Sequence, residues 1–372
     1  MRIVHLAAYG GSYPGSFVPM LRAVDDAARK RGWLFEAVFT CDAASHPWYA
    51  EMANDGVGVR VAPALSRRAL ASWVNDIVAE RPPGNTVLHA HFTTFDLPVA
   101  AAARRSADVV AIWHMHNPPE SNPAQVVRGV LKFALAGRHV DRILCVSQET
   151  AEVVRRRGAP RGRVLVFPNA IDLRRFLPPA DTQERARARL QLGISPERAL
   201  LVHFGWDWER KGGDLFLAAI DLLSRTHGDT LGLSVGGGEH ARAQVAALGL
   251  GECVQVLEPQ DDVRTLYAAA DMFVAPSSSE GMPYAVLEAL CTGTPAVVSD
   301  IPSHAVLLHT PGCVAAQRDP QSLANAIGAV LDARRGDGPA VDASKLVADL
   351  DLADWAERLL DLYTQRLSSK RT

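Results

Sequence analysis

Cysteine is sparse in this chain. The five present, Cys41, Cys145, Cys253, Cys291 and Cys313, are odd in number and show no C-x-x-C spacing. A disulfide framework or a zinc ribbon is not expected, and a reducing compartment is. Charge of one sign is also lacking. The 39 Lys and Arg face 41 Asp and Glu, for a formal net charge of -2. A general nucleic-acid binder would be strongly basic. No apolar run approaches the roughly 20 residues that a bilayer-spanning helix requires. The opening Met1-Arg2-Ile3-Val4-His5-Leu6 reads as a strand and not as the core of a secretory leader. The expected location is cytoplasmic. Secreted, membrane-spanning, fibrous and disordered classes are set aside.

What remains is an ordinary globular composition, 48% hydrophobic and 22% charged over 372 residues. At roughly 150 residues per domain that suggests two domains. Short apolar runs alternate with helical patterns. Strands are expected at 3–7, 34–39, 87–90, 109–113, 143–146 and 164–167, and again at 199–204, 231–235, 254–257, 272–275 and 296–299. Continuous apolar strands separated by helices point to parallel sheets covered on both faces, hence an α/β chain with two Rossmann-like halves. Prolines and a crowd of basic residues mark the join near Pro168 to Ala180. The expected domains are 1–174 and 175–351. A last helix over 352–372 carries Leu359, Leu360, Tyr363 and Leu367 on one stripe and is expected to pack back on the first domain.

The most informative segment runs from Ser277 to Leu290. A strand ends at Ala275-Pro276, a polar loop follows, and a helix is expected to start at Pro283. Such a loop presents backbone N–H groups and the positive end of a helix dipole, an anion site at the C-terminal edge of a parallel sheet. Glu280 and Glu288 flank it. They are either a helix cap and a solvated side chain, or acceptors for sugar hydroxyls.

Glu280 and Glu288 reproduce an E-x7-E motif, and other segments agree in order along the chain. Gly10-Gly11 follows the first strand. Asp141-Arg142-Ile143 leads to Val146-Ser147, and Pro168-Asn169-Ala170-Ile171-Asp172 precedes Phe176. Then come Phe204-Gly205 with Lys211-Gly212, Val235 to Glu239, and Ala270-Asp271 leading to Pro276-Ser277. The ordered set resembles the retaining glycosyltransferases of the GT-B fold, over nearly the whole chain. The resemblance implies two Rossmann-like domains facing across a cleft. It also implies transfer of a hexosyl group from a nucleotide diphosphate sugar, with UDP favoured over GDP, to a hydroxyl acceptor, without cofactor or bound metal.

By the same resemblance Lys211 meets the donor diphosphate, with Arg210 beside it. Glu280 approaches the transferred sugar and Glu288 binds the ribose. Gly281, Met282 and Pro283 lie at the phosphate or sugar, Leu257 near the base, and Gly10, Gly11 and Gly205 in the donor loops. His116 is the histidine that faces the sugar, with His114 as the alternative. Two departures stand out. Trp206 occupies the place of a customary Arg, and no acid follows Asp300.

Other classes compete. Gly236, Gly238 and Glu258 partly imitate a dinucleotide fingerprint, so an NAD-dependent oxidoreductase is the rival, and a nucleotide-sugar epimerase of the same fold is another. His89, His91, His114 and His116 raise the question of a metal, but no carboxylate or cysteine completes a shell by spacing, and none is expected. Basic residues cluster between Arg128 and Arg175. They are either solvated or a patch for an anionic membrane surface. The partners expected are the nucleotide sugar and a small-molecule, saccharide or lipid-linked acceptor, with weak peripheral membrane contact and no nucleic acid.

Overall fold

The computed structural model describes residues 1–11, 14–64, 66–80, 85–119, 122–179, 181–260, 262–334 and 341–371. Ala180 and Thr372, which close the expected join and last helix, lie outside the described residues. The chain divides into two units, Met1–Ala170 with Leu350–Thr372, and Ile171–Asp349, against sequence boundaries of 174/175 and 351/352.

Seven strands build the first unit: β1 (Arg2–Ala7), β2 (Leu34–Phe39), β3 (Val59–Val61), β4 (Thr86–His91), β5 (Val109–Met115), β6 (Arg142–Cys145) and β7 (Val164–Val166). Their order is β3-β2-β1-β4-β5-β6-β7, with all pairs parallel. Strands β1, β4 and β5 are buried along their whole length, because apolar side chains leave both faces of each strand and helices cover both. Ile3, Val87, Val110 and Ile112 pack under the helices Phe17–Lys30 and Leu352–Arg371, which bring Leu21, Val24, Trp355, Leu359, Leu360, Tyr363 and Leu367. The opposite face buries Val4, Leu6, Leu88, Ala111 and Trp113. Trp355 also donates its indole N–H to the Pro168 carbonyl at 2.8 Å.

The second unit has β8 (Ala199–Phe204), β9 (Thr230–Val235), β10 (Val254–Leu257), β11 (Met272–Ala275), β12 (Ala296–Ser299) and β13 (Cys313–Ala316), in the order β10-β9-β8-β11-β12-β13. These pairs too are parallel. In each unit the chain fills one side of its first strand and then crosses to the other, so the switch points lie between β1 and β4 and between β8 and β11. Crevices at the C-terminal ends of strands at such points are where ligands of open α/β sheets bind. Asp141 and Asp271, from two of the ordered sequence segments, are structural. Asp141 accepts the Ala111 N–H at 2.9 Å, and Asp271 accepts the Leu200 N–H at 2.8 Å while pairing with Arg185 and Arg189. Each pins the start of a neighbouring strand. Strands β3 and β13 were not expected from the sequence. Both are edge strands, β3 only three residues long and broken by Arg60, and β13 four residues of mostly small side chains.

Candidate active site

In the second unit the chain leaves β8 at Phe204 and makes a tight loop before the helix Gly213–Ser224. Gly212 closes the loop with a φ of +72°, and a Cβ there would collide with the Pro276 carbonyl oxygen. The Ser278 N–H binds the Arg210 carbonyl at 2.8 Å, which ties the two loops together. Lys211 is thereby held over the loop that follows β11. Its Nζ lies 2.6 Å from Glu280 Oε1, which also accepts the Ser277 hydroxyl at 2.7 Å. Arg210 reaches Glu280 Oε2 at 3.2 Å and Asp207 at 2.6 Å. A small pocket beside them is lined by His203, Phe204, Ala275, Ser277 and Pro283 among others.

Burial alone would raise the Glu280 carboxyl, but Lys211 and Arg210 outweigh it and hold the group below the usual carboxylate range. Burial pulls the Lys211 ammonium down from its ordinary value, against Glu280. Trp206, the residue standing where an Arg is customary, is half exposed and turned toward both cations. Its ring centre is 4.8 Å from the Arg210 guanidinium and 5.0 Å from Lys211 Nζ. Cations over the face of an indole are attracted by its quadrupole. Trp206 therefore supports the charge that an Arg there would repel.

The helix after this loop begins at Tyr284 with Pro283 as its N-cap, one residue later than the spacing suggests. Glu288 lies inside it, buried, and accepts the Tyr267 hydroxyl at 3.0 Å. Tyr267 is itself fully buried, and burial beside Glu288 keeps its phenol far from ionising. Glu288 is therefore oriented and not solvated. His304 is buried too. Its Nδ1 meets the Ser299 carbonyl at 2.9 Å, its Nε2 has no partner among the described residues, and Ser299 donates to the Ser277 carbonyl at 2.6 Å. This polar backing to Glu280 escaped the sequence, which showed only a missing acid beyond Asp300.

The dinucleotide rival fares poorly. Its glycines follow β9, one strand away from the β8/β11 switch point, whereas Gly205 follows β8 itself. Glu258, which would bind a ribose, is exposed and engaged by Arg242. Leu257 ends β10, and its carbonyl accepts the Gly236 N–H at 2.8 Å.

In the first unit the histidine-bearing strand ends converge. His114 and His116 share one face with rings 4.3 Å apart, while Trp113 and Met115 pack on the other. His116 has both ring nitrogens engaged, Nε2 with His91 Nδ1 at 2.9 Å and Nδ1 with the Asn169 amide at 3.0 Å. His91 Nε2 meets His5 Nδ1 at 3.0 Å, His5 Nε2 meets the Tyr363 hydroxyl at 2.9 Å, and that hydroxyl meets His89 Nδ1 at 2.5 Å. Burial pushes His5 and His116 down to about 3, and His89, His91 and His114 well below their ordinary value, so all five are neutral. His5 and Tyr363 join a group the sequence had limited to four. At Gly10 the Asp42 side chain fills the space a Cβ would take, and His46 and Trp48 donate toward the carbonyls of Gly10 and Gly11. A carboxylate in that position opposes a phosphate.

Residues 198–333 match the family model described as glycosyl transferases group 1, and residues 30–175 match glycosyltransferase family 4. These matches support a GT-B glycosyltransferase. Among curated proteins, D-inositol 3-phosphate glycosyltransferase of Nocardia farcinica is 32% identical over 61% of this chain and 53% of its own length. A UDP-Gal:alpha-D-GlcNAc-diphosphoundecaprenol alpha-1,3-galactosyltransferase of Escherichia coli is 25% identical over 76% of each chain. The chain spans about half the length of the curated relatives it matches first, at 53% and 48%. Among solved structures, Anabaena HepE in complex with UDP and glucose superposes with a TM-score of 0.79 at 19% identity, covering 98% of this chain and 100% of that one. Sucrose-phosphate synthase from Thermosynechococcus elongatus gives 0.76 at 16% identity, covering 99% and 100%. At these identities the structural likeness concerns the fold: two parallel-sheet α/β Rossmann-like domains of the GT-B type.

Proposed function

We propose that the protein transfers a hexosyl group from a nucleotide diphosphate sugar, UDP- in preference to GDP-, to an acceptor hydroxyl with retention of configuration and without a catalytic metal. The observation that carries this is the Lys211–Glu280 pair, backed by Arg210 and Trp206, at the C-terminal edge of β8 and β11. The leaving group is a nucleoside diphosphate whose charge grows as the glycosidic bond breaks. Lys211 and Arg210 stabilise that charge in a setting already largely shielded from water. Before donor binds, Glu280 occupies both cations. A diphosphate draws them away and leaves the carboxylate to the transferred sugar. Glu288, held by Tyr267, accepts hydrogen bonds from the ribose.

The acceptor is proposed to be membrane-borne, as in the undecaprenol-linked substrate named for the Escherichia coli relative. The supporting feature is the helix Pro123–Leu131 and the turn after it. There Val127, Val130, Leu131 and Leu135 are exposed beside the exposed Arg128 and Arg138. An apolar stripe flanked by arginines suits an anionic headgroup layer. Calorimetric titration with UDP, GDP and NAD, followed by identification of the product anomer, tests the donor reading. Saturable binding of NAD alone, or an inverted product, overturns it.

A further inference from the structure

Five imidazoles meet in the first unit: His5 on β1, His89 and His91 on β4, His114 on β5 and His116 just beyond it. For His91, His114 and His116 the ring centres stand 4.3–5.4 Å apart, and each ring offers a nitrogen within 4.8 Å of the others. Hydrogen bonds account for His5, His91 and His116. They account less well for His114, which is fully buried: the Phe167 backbone can engage one of its nitrogens, and among the described residues the other has no partner. A buried polar atom without a partner is costly and calls for one.

We propose that His91, His114 and His116 bind one divalent transition-metal ion of the zinc class. Three neutral imidazoles suit Zn²⁺, Co²⁺ or Ni²⁺ and not the oxygen-seeking Mg²⁺ or Ca²⁺. The fourth position opens beside His116, which alone among the five histidines is not fully buried. Tetrahedral bonds of about 2.0–2.1 Å place ligand nitrogens roughly 3.3 Å apart. His91 Nδ1 and His116 Nε2 already stand 2.9 Å apart, sharing a proton.

The protons balance without loss from either ring. His91 keeps its proton on Nε2, donating to His5 Nδ1, whose own Nε2–H donates to Tyr363. His116 carries its proton on Nδ1 instead of Nε2. The Asn169 amide, turned over, accepts it with Oδ1, an oxygen that is buried without a partner among the described residues as it stands. Both facing nitrogens are then bare and bind the ion. Metal binding is read without donor or acceptor, so its outcome is separate from that of the proposed transfer reaction.

The test is titration of the chelator-treated full chain with Co²⁺, read by its visible ligand-field absorption, then displacement with Zn²⁺ and calorimetric stoichiometry. One equivalent is expected, with the intense bands of a tetrahedral site. His114→Ala and His116→Ala are each expected to weaken binding at least about 10²-fold. A folded parent that shows no saturable band overturns the proposal. Unchanged affinity in the variants also overturns it, because the ion then sits elsewhere. Should His114→Ala fail to fold by circular dichroism, His116→Ala at the partly exposed position decides.

Discussion

Lys211 and Glu280 restrain each other, and this makes their substitutions diverge. Lys211→Ala removes the charge that meets the departing diphosphate, so kcat is expected to fall about 10²-fold or more in a folded variant. Near-wild-type turnover would remove Lys211 from the mechanism. Glu280→Gln frees both cations from their carboxylate. It is expected to bind the free nucleoside diphosphate several-fold more tightly while transfer collapses. Weaker nucleotide binding in a calorimetric titration would mean that Glu280 does not compete with the phosphates. Glu288→Ala is expected to weaken nucleotide binding, and Tyr267→Phe to do so less, since it loosens Glu288 without removing it. Glu280 and Glu288 were legible as an E-x7-E spacing, and Lys211 through its place in the ordered motifs of the family. Trp206 read only as a missing Arg, because a stacking partner is defined by where two loops meet. His5 looked like a strand residue for the same reason, its hydroxyl partner Tyr363 lying 358 positions away.

At the scale of elements, the helix Pro123–Leu131 carries a surface that its sequence did not single out. The basic cluster was visible in the sequence, whereas the exposed apolar stripe beside it is seen only in the fold. Only the packing shows that Gly129 and Phe133 turn inward while Val127 and Leu131 turn out. Val127→Asp with Leu131→Asp is expected to abolish co-sedimentation with phosphatidylglycerol vesicles and to leave thermal stability within about 0.5 kcal/mol, as exposed substitutions do. Retained sedimentation at physiological salt would show that this face does not meet lipid. The main strands were plain as uninterrupted apolar runs. Edge strands β7 and β10 were legible too, but β3, broken by Arg60, and β13, built mostly of small side chains, were not.

For the whole molecule, the neutral imidazoles set a response to acid. His5 and His116 at about 3 and His203 at about 4 take up protons far later than the unfolded chain does near 6.5. Between those limits the unfolded state binds more protons, so stability falls as pH drops below about 6.5. Asp96, raised by burial to about 6, works the other way below that pH, but it is a single group. At pH 5 His5 and His203 each cost about 2 kcal/mol, not additive across a coupled cluster. In chelator the melting temperature is expected to decline steeply from pH 6.5 to pH 5. A flat profile would mean that the cluster opens to water in the native state.

The last helix returns to the first unit after the entire second unit has been written into the chain. Synthesis on the ribosome therefore completes the second unit while the first still waits for Trp355, Leu359, Leu360 and Tyr363. Until they arrive, the apolar faces of Leu21, Val24 and Ile3 stand open, and His5 and His89 lack their shared hydroxyl. Emergence of residues 352–367 from the exit tunnel is the step that closes the first unit. A fragment ending at residue 170 is expected to precipitate on expression, and co-expression of residues 350–372 as a separate peptide to restore it to solution. A fragment that stays monomeric and cooperatively folded by itself would show that the tail adds to a finished domain.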